Sequence, residues 1–146
     1  MKNVSRLSMF ALIAMACVSS QAAGLYAART TASTPLSPTG GAVTTVLQVT
    51  APAGTWVVSS KVSFVNFQNK DYDRCQLVAG ATPIDGATTM TGDFDGMPAV
   101  ATLANLGTVT TVGSTTFKLD CWHDFNVPGQ SIDADATLVV SRAPKK

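Results

Sequence analysis

Residues 121 to 126, Cys-Trp-His-Asp-Phe-Asn, gather a thiol, an indole, the chain's only imidazole and a carboxylate in consecutive positions. Such groups could serve hydrolysis: an imidazole as base, a carboxylate to orient it, and a hydroxyl or thiol as nucleophile. With one histidine, any such site must use His123. No Gly-x-Ser-x-Gly elbow supplies a serine, and serine is too frequent to single out a partner. Cys121 is a poor nucleophile if it is oxidised. Neighbouring residues on an extended chain point to opposite faces, which sets Asp124 badly for orienting His123. The stretch therefore reads as a strand end opening a loop, with Pro128-Gly129 as a later turn. No catalytic residue is expected. Trp122, His123 and Asp124 are the candidates for ligand contact. His123→Ala is expected to shift stability by no more than about 1 kcal/mol, as for a surface change.

The second chemical signal is aspartate. All nine acidic residues are Asp and none is Glu. Asp93-Phe94-Asp95-Gly96 resembles part of a calcium loop, but an EF-hand needs a longer series of oxygen ligands ending in Glu. Asp93 and Asp95 are thus the calcium candidates, with Asp71/Asp73 and Asp133/Asp135 as further pairs on expected loops. Aspartate bonding its own backbone in turns accounts for all of them. There is no Cys-x-x-Cys and no Cys/His spacing suited to zinc. Neither a metal nor a cofactor is expected.

The elements that must carry these groups are strands. Thr and Asp are abundant, Glu is absent, and 11 Gly and 7 Pro punctuate the chain; this composition favours strand and turn over helix. Alternation is clear in Thr55 to Phe67, where Trp56, Val58, Ser60, Val62 and Phe64 share a core face. Residues 43–49 are expected to pair with that strand across the turn at 52–54. Cys75, Leu77 and Ala79 share one face of a strand. Phe117, Leu119 and Cys121 share one face of another. Residues 81–90 look like a hairpin or a bent strand with Asp85-Gly86 at its turn, Asn105-Leu106-Gly107 marks a turn, and a last strand covers 136–142. The fold expected is an all-β antiparallel sandwich of seven to eight strands.

The first residues suggest a compartment. Lys2 and Arg6 precede the apolar run Leu7 to Val18, and Ser20-Gln21-Ala22 offers small residues for cleavage. This is the pattern of a secretory signal over 1–22. The run is too short to span a bilayer of about 30 Å, which takes roughly 20 residues. Ala14-Met15-Ala16-Cys17 also resembles a lipobox, so lipid anchoring through Cys17 is the alternative. Residues 23–42, rich in Ser, Thr and Pro, read as a linker or as an N-terminal segment with one edge strand near Leu25-Tyr26, and 43–146 as the domain. Loss of Lys2 and Arg6 would turn the net charge from +1 to −1. That leaves no basic field for nucleic acid. In a secreted or periplasmic chain, Cys75 and Cys121 form the even pair that remains, and a disulfide is expected. The chain-entropy model gives it about 4 kcal/mol.

Gly54-Thr55-Trp56, Cys75-Gln76-Leu77, Asp85-Gly86, Ala99 to Leu106, Leu119-Asp120-Cys121 and Ala136 to Val140 occur in an order that resembles small secreted bacterial β-sandwich proteins of uncharacterised function. The stretch from Pro52 to Asn66 also resembles the second major strand of jelly rolls of the complement globular-head and tumour-necrosis-factor type. The resemblance covers roughly residues 25–142 and implies a jelly roll, and with it a non-catalytic recognition or structural module, commonly trimeric. Val57, Val65, Phe67 and Val78, expected on an outer face, add to the expectation of self-association. The alternative is a small secreted carbohydrate-binding or hydrolytic domain using the His123/Asp124 region. The expected partner is a protein or glycan.

Overall fold

A computed structural model describes residues 17–22 (backbone), 24–92, 99–126 and 128–144. Eleven strands and no helix occur among the described residues: β1 (Cys17–Ala22), β2 (Leu25–Thr30), β3 (Thr34–Pro35), β4 (Thr44–Ala51), β5 (Gly54–Asn66), β6 (Asp71–Ala79), β7 (Thr82–Thr91), β8 (Ala99–Thr111), β9 (Thr115–His123), β10 (Gln130–Ile132) and β11 (Thr137–Arg142). Eight of them, β2, β4 to β9 and β11, are longer than five residues and follow residue 24. They correspond to the seven or eight expected.

The pairing follows one rule. From the turn at Gly80, which has φ +61°, the chain runs outward as a long antiparallel hairpin. β6 pairs with β7, β5 with β8, and β4 with β9. β3 pairs with β10, and β2 with β11. Rolled on itself, this hairpin gives two sheets. Sheet A holds β1, β2, β11, β5, β10 and β3, with β8 on the far edge of β5; sheet B runs β4-β9-β6-β7. That is a jelly-roll sandwich.

Between the sheets lies one core. Trp56, Val58, Val62 and Phe64 of β5 meet Leu77 of β6 and Phe117 and Leu119 of β9, all essentially excluded from water. Trp56 bridges the layers: its ring meets Tyr26 edge-on at 5.5 Å and Phe117 at 6.5 Å. Its indole N–H donates to the Pro52 carbonyl at 3.1 Å, so the buried ring leaves no donor unpaired. Cys75 and Cys121 face each other in the β6–β9 register and are disulfide-bonded, with Cα atoms 4.1 Å apart. The bridge staples two neighbouring strands of sheet B.

Four local expectations are corrected. β4 pairs with β9 in the opposite sheet; residues 52–53 carry the chain across the sandwich instead of turning it back on β5. Residues 82–91 form one strand, β7, with a register shift beside Asp85, so of the two readings of this segment the bent strand fits and the hairpin does not. Asn105-Leu106-Gly107 lies inside β8. A Cβ at residue 107 would come within 2.3 Å of Ile84 Cγ2, so glycine here lets β8 pass close to β7. The Asp85 carboxylate accepts the Leu106 N–H at 2.9 Å and ties the same edge. Finally, Asp71 and Asp73 sit on β6, buried, and not on a loop. The strand expected near Leu25-Tyr26 is β2, and between residues 24 and 42 β3 follows it; Ala28 and Leu36 join the core. Of the segment read as a leader, residues 17–22 form β1.

Candidate functional site

The polar residues of 121–126 do converge, on a partner the sequence did not point to. β9 ends at His123, whose alternation with Cys121 turns the ring inward, and 1% of it is exposed. Opposite it in sheet B stands the start of β6. The Asp71 carboxylate accepts His123 Nδ1 at 2.9 Å and Gln130 Nε2 at 2.9 Å. It also accepts the backbone N–H groups of Tyr72 at 2.6 Å, Asp124 at 3.2 Å and Phe125 at 3.1 Å. Five donors surround one buried carboxylate, as a buried charge requires.

On its other side His123 Nε2 lies 2.5 Å from the Ser37 carbonyl. The His123 carbonyl accepts the Gly41 N–H at 2.6 Å, and Asn126 Oδ1 accepts the Gly40 N–H at 2.8 Å. A Cβ at residue 40 would come within 2.3 Å of the Asp124 carbonyl, so this close approach needs glycine. His123 and Asp71 thus pin the loop at 37–41, the end of β9 and the start of β6 together, with Gln130 drawing in β10.

Asp73, two residues on, faces the same interior. It accepts the Thr91 hydroxyl, and its Oδ1 has no partner among the described residues. Burial pushes its pKa up from 3.8 to about 6, with neighbouring Asp71 adding to the rise and Thr91 and His123 opposing it. Asp124, by contrast, turns outward. Arg74 Nε and Nη2 grip its two oxygens at 2.7 Å each, which holds this carboxyl below the usual range.

Among the described residues, the arrangement orients an imidazole but gives it nothing to activate. A base needs a hydroxyl or thiol within reach. Here Nε2 meets a backbone carbonyl, Cys121 is disulfide-bonded, and the ring has no access to solvent. The ring lies neither in a cleft nor on a shallow surface. Its orienting residue is Asp71 and not Asp124. The small effect expected of His123→Ala does not suit this burial; the residue behaves as a structural pin.

Of the three ligand-contact candidates, Trp122 and Asp124 reach the outer face of sheet B and His123 does not. Trp122 is half-buried beside Arg74 in the register, and Arg74 also sits 6.0 Å from the ring of exposed Tyr72. Asp93 and Asp95 lie outside the described residues. Among the described residues no three His, Cys or Asp side chains come together as metal ligands. Asp133 bonds the Ala134 N–H at 2.8 Å, and Asp135 pairs with Arg29. Both act as turn and surface residues. The apolar residues expected on one outer face are divided: Val57 and Val65 lie on sheet A, and Val78 on sheet B.

No protein-family model matches the sequence, and no curated protein matches it. Solved structures do resemble the fold. The VP2 subviral particle of infectious bursal disease virus superposes with a TM-score of 0.50 at 17% identity, over 81% of this chain and 32% of that chain. The structure of the Gx strain of the same virus covers 95% of this chain and 38% of that chain, at 16% identity and a TM-score of 0.46. This chain therefore spans about a third of the length of the VP2 chain it matches. The first match supports the jelly roll. The comparisons support neither the complement globular-head or tumour-necrosis-factor type nor a bacterial source.

Proposed function

We propose that this chain is a secreted or surface-attached, non-catalytic structural or recognition module that packs against copies of itself through the outer face of sheet A. One observation carries the reading: that face is broad, small-residued and poor in charge. Across β2, β11, β5 and β8, one row of the register reads Ala27, Val139, Ser59, Leu106 and the next Leu25, Ser141, Val57, Thr108. Arg29 and Lys61 are the charges on these strands' outer positions, while Val100 and Leu106 are 63% and 67% exposed. Exposed apolar side chains set among small residues and few charges suit packing between copies. A trimer is the assembly expected. Light scattering of the purified protein tests it, and Leu106→Lys should lower the mass. A clean monomer at micromolar concentration would overturn it. Non-catalysis is tested separately: no esterase, protease or glycosidase activity that depends on His123 should be found.

Secretion rests on residues 1–22 as a leader cut after Ala22, with lipid anchoring at Cys17 as the alternative. Mass analysis of the protein's N-terminus distinguishes the two. A second reading, glycan binding, is favoured by the outer face of sheet B, where Tyr72, Trp122 and the Arg74–Asp124 pair stand together. Aromatic faces and fixed polar groups suit sugars. A glycan array tests it, with Trp122→Ala as the control that should lose any signal.

A further inference from the structure

We propose that the outer edge of β2 is a strand acceptor, which a second copy fills through its own β2 once the residues before Ala23 are removed. The inference rests on the leader reading of residues 1–22. β1 pairs with β2 along its whole length, from Cys17 opposite Thr30 to Ala22 opposite Leu25. β11 holds the other side of β2. Cleavage after Ala22 therefore removes one complete strand of the sheet and leaves a row of N–H and C=O groups without partners.

Proteins normally blunt such an edge with proline, a bulge or a projecting charge. β2, Leu-Tyr-Ala-Ala-Arg-Thr, has no proline, and its pairings with β1 and β11 run without a register shift. Its one charge is tied back, since Arg29 donates through Nε at 3.1 Å and through Nη2 to the Asp135 carboxylate of the same chain. Nothing on the strand repels another strand.

A second copy fits this edge by symmetry. Two identical antiparallel strands are related by a two-fold axis, so each supplies the acceptor the other needs. Centred on Ala27, the pairing sets Ala27 opposite Ala27 and Leu25 opposite Arg29, with inward residues opposite inward residues. Small side chains at the centre leave room for strands about 4.8 Å apart. Among the residues whose side chains are described, every member of the core lies at or after Ala28, within the shortened chain. Processing at Cys17 would instead retain β1 and keep the edge closed.

The test compares residues 17–146 carrying Cys17→Ser with residues 23–146, by light scattering at one micromolar concentration. The shorter chain should show at least twice the mass of the longer. The peptide Ser-Val-Ser-Ser-Gln-Ala, equivalent to residues 17–22 with Ser for Cys17, should return it to the lower mass. Ala27→Lys, on the outer face, sets like charges close together across the axis and should do the same. Equal masses for the two chains, or a doubled mass that survives both treatments, would overturn the proposal. The mass of the longer chain reports separately on packing through the face of sheet A, and the N-terminus of the secreted protein reports on the leader.

Discussion

Asp73 makes stability depend on pH in a direction opposite to that of most carboxylates. It is fully buried, has one hydroxyl donor and, among the described residues, one oxygen without a partner, and lies near the Asp71 charge. Its pKa stands at about 6 in the fold against 3.8 as the ordinary value. A raised acid pKa means that the folded state binds the proton more tightly. The resulting stabilisation is complete below pH 3.8, falls between 3.8 and 6, and is gone above. About two pKa units correspond to about 3 kcal/mol, of which about 2 kcal/mol falls between pH 4.5 and 8. Asp73→Asn removes the titration and keeps an oxygen for Thr91. Urea unfolding of both proteins at pH 4.5 and pH 8, disulfide intact, isolates the effect, because every other titrating group is common to both. The variant should gain about 2 kcal/mol on the wild type on going from pH 4.5 to pH 8. A difference between the two proteins that stays constant within about 0.5 kcal/mol would refute the assignment.

Other consequences are as direct. His123→Ala leaves Asp71 short of a donor and the Ser37 carbonyl without its partner; denaturant unfolding should show a loss of about 3 kcal/mol, as for one half of a buried pair. Reduction of Cys75–Cys121 should cost about 4 kcal/mol by the chain-entropy model, and thiol titration of the unfolded oxidised protein should find neither cysteine free. Gly107→Ala should cost about 1–3 kcal/mol through the clash with Ile84. Adding Ile84→Ala should recover part of that loss in a double-mutant cycle, and strict additivity would argue against the contact.

Periodicity and composition made most of the fold legible. Alternation assigned the inner face of β5, from Trp56 to Phe64, because a strand between core and solvent must alternate. The same rule aligned Cys75 with Cys121, and the structure joins them. Local signals failed where a residue type has two uses. Gly107 and Gly86 looked like turns because glycine permits turns, yet they lie within β8 and β7, and Gly107 serves a close approach there. The turn at residues 52–54 was visible in the sequence, but not whether it would keep the chain in its sheet or carry it to the other. Nothing local makes that distinction.

The candidate site divides in the same way. The sequence by itself singled out His123 as the one imidazole and showed Asp124 to be poorly placed to orient it. Only the tertiary structure brought Asp71 to that ring from 52 residues away, together with Ser37 and Gln130. Alternation reports which face a residue takes within its own strand. The register between β6 and β9 decides which residues meet, and that register is set by the packing of both sheets around Trp56, Phe117 and Leu119. A buried carboxylate needs its donors from wherever the fold supplies them, so its partners are a property of the fold and not of the neighbouring sequence.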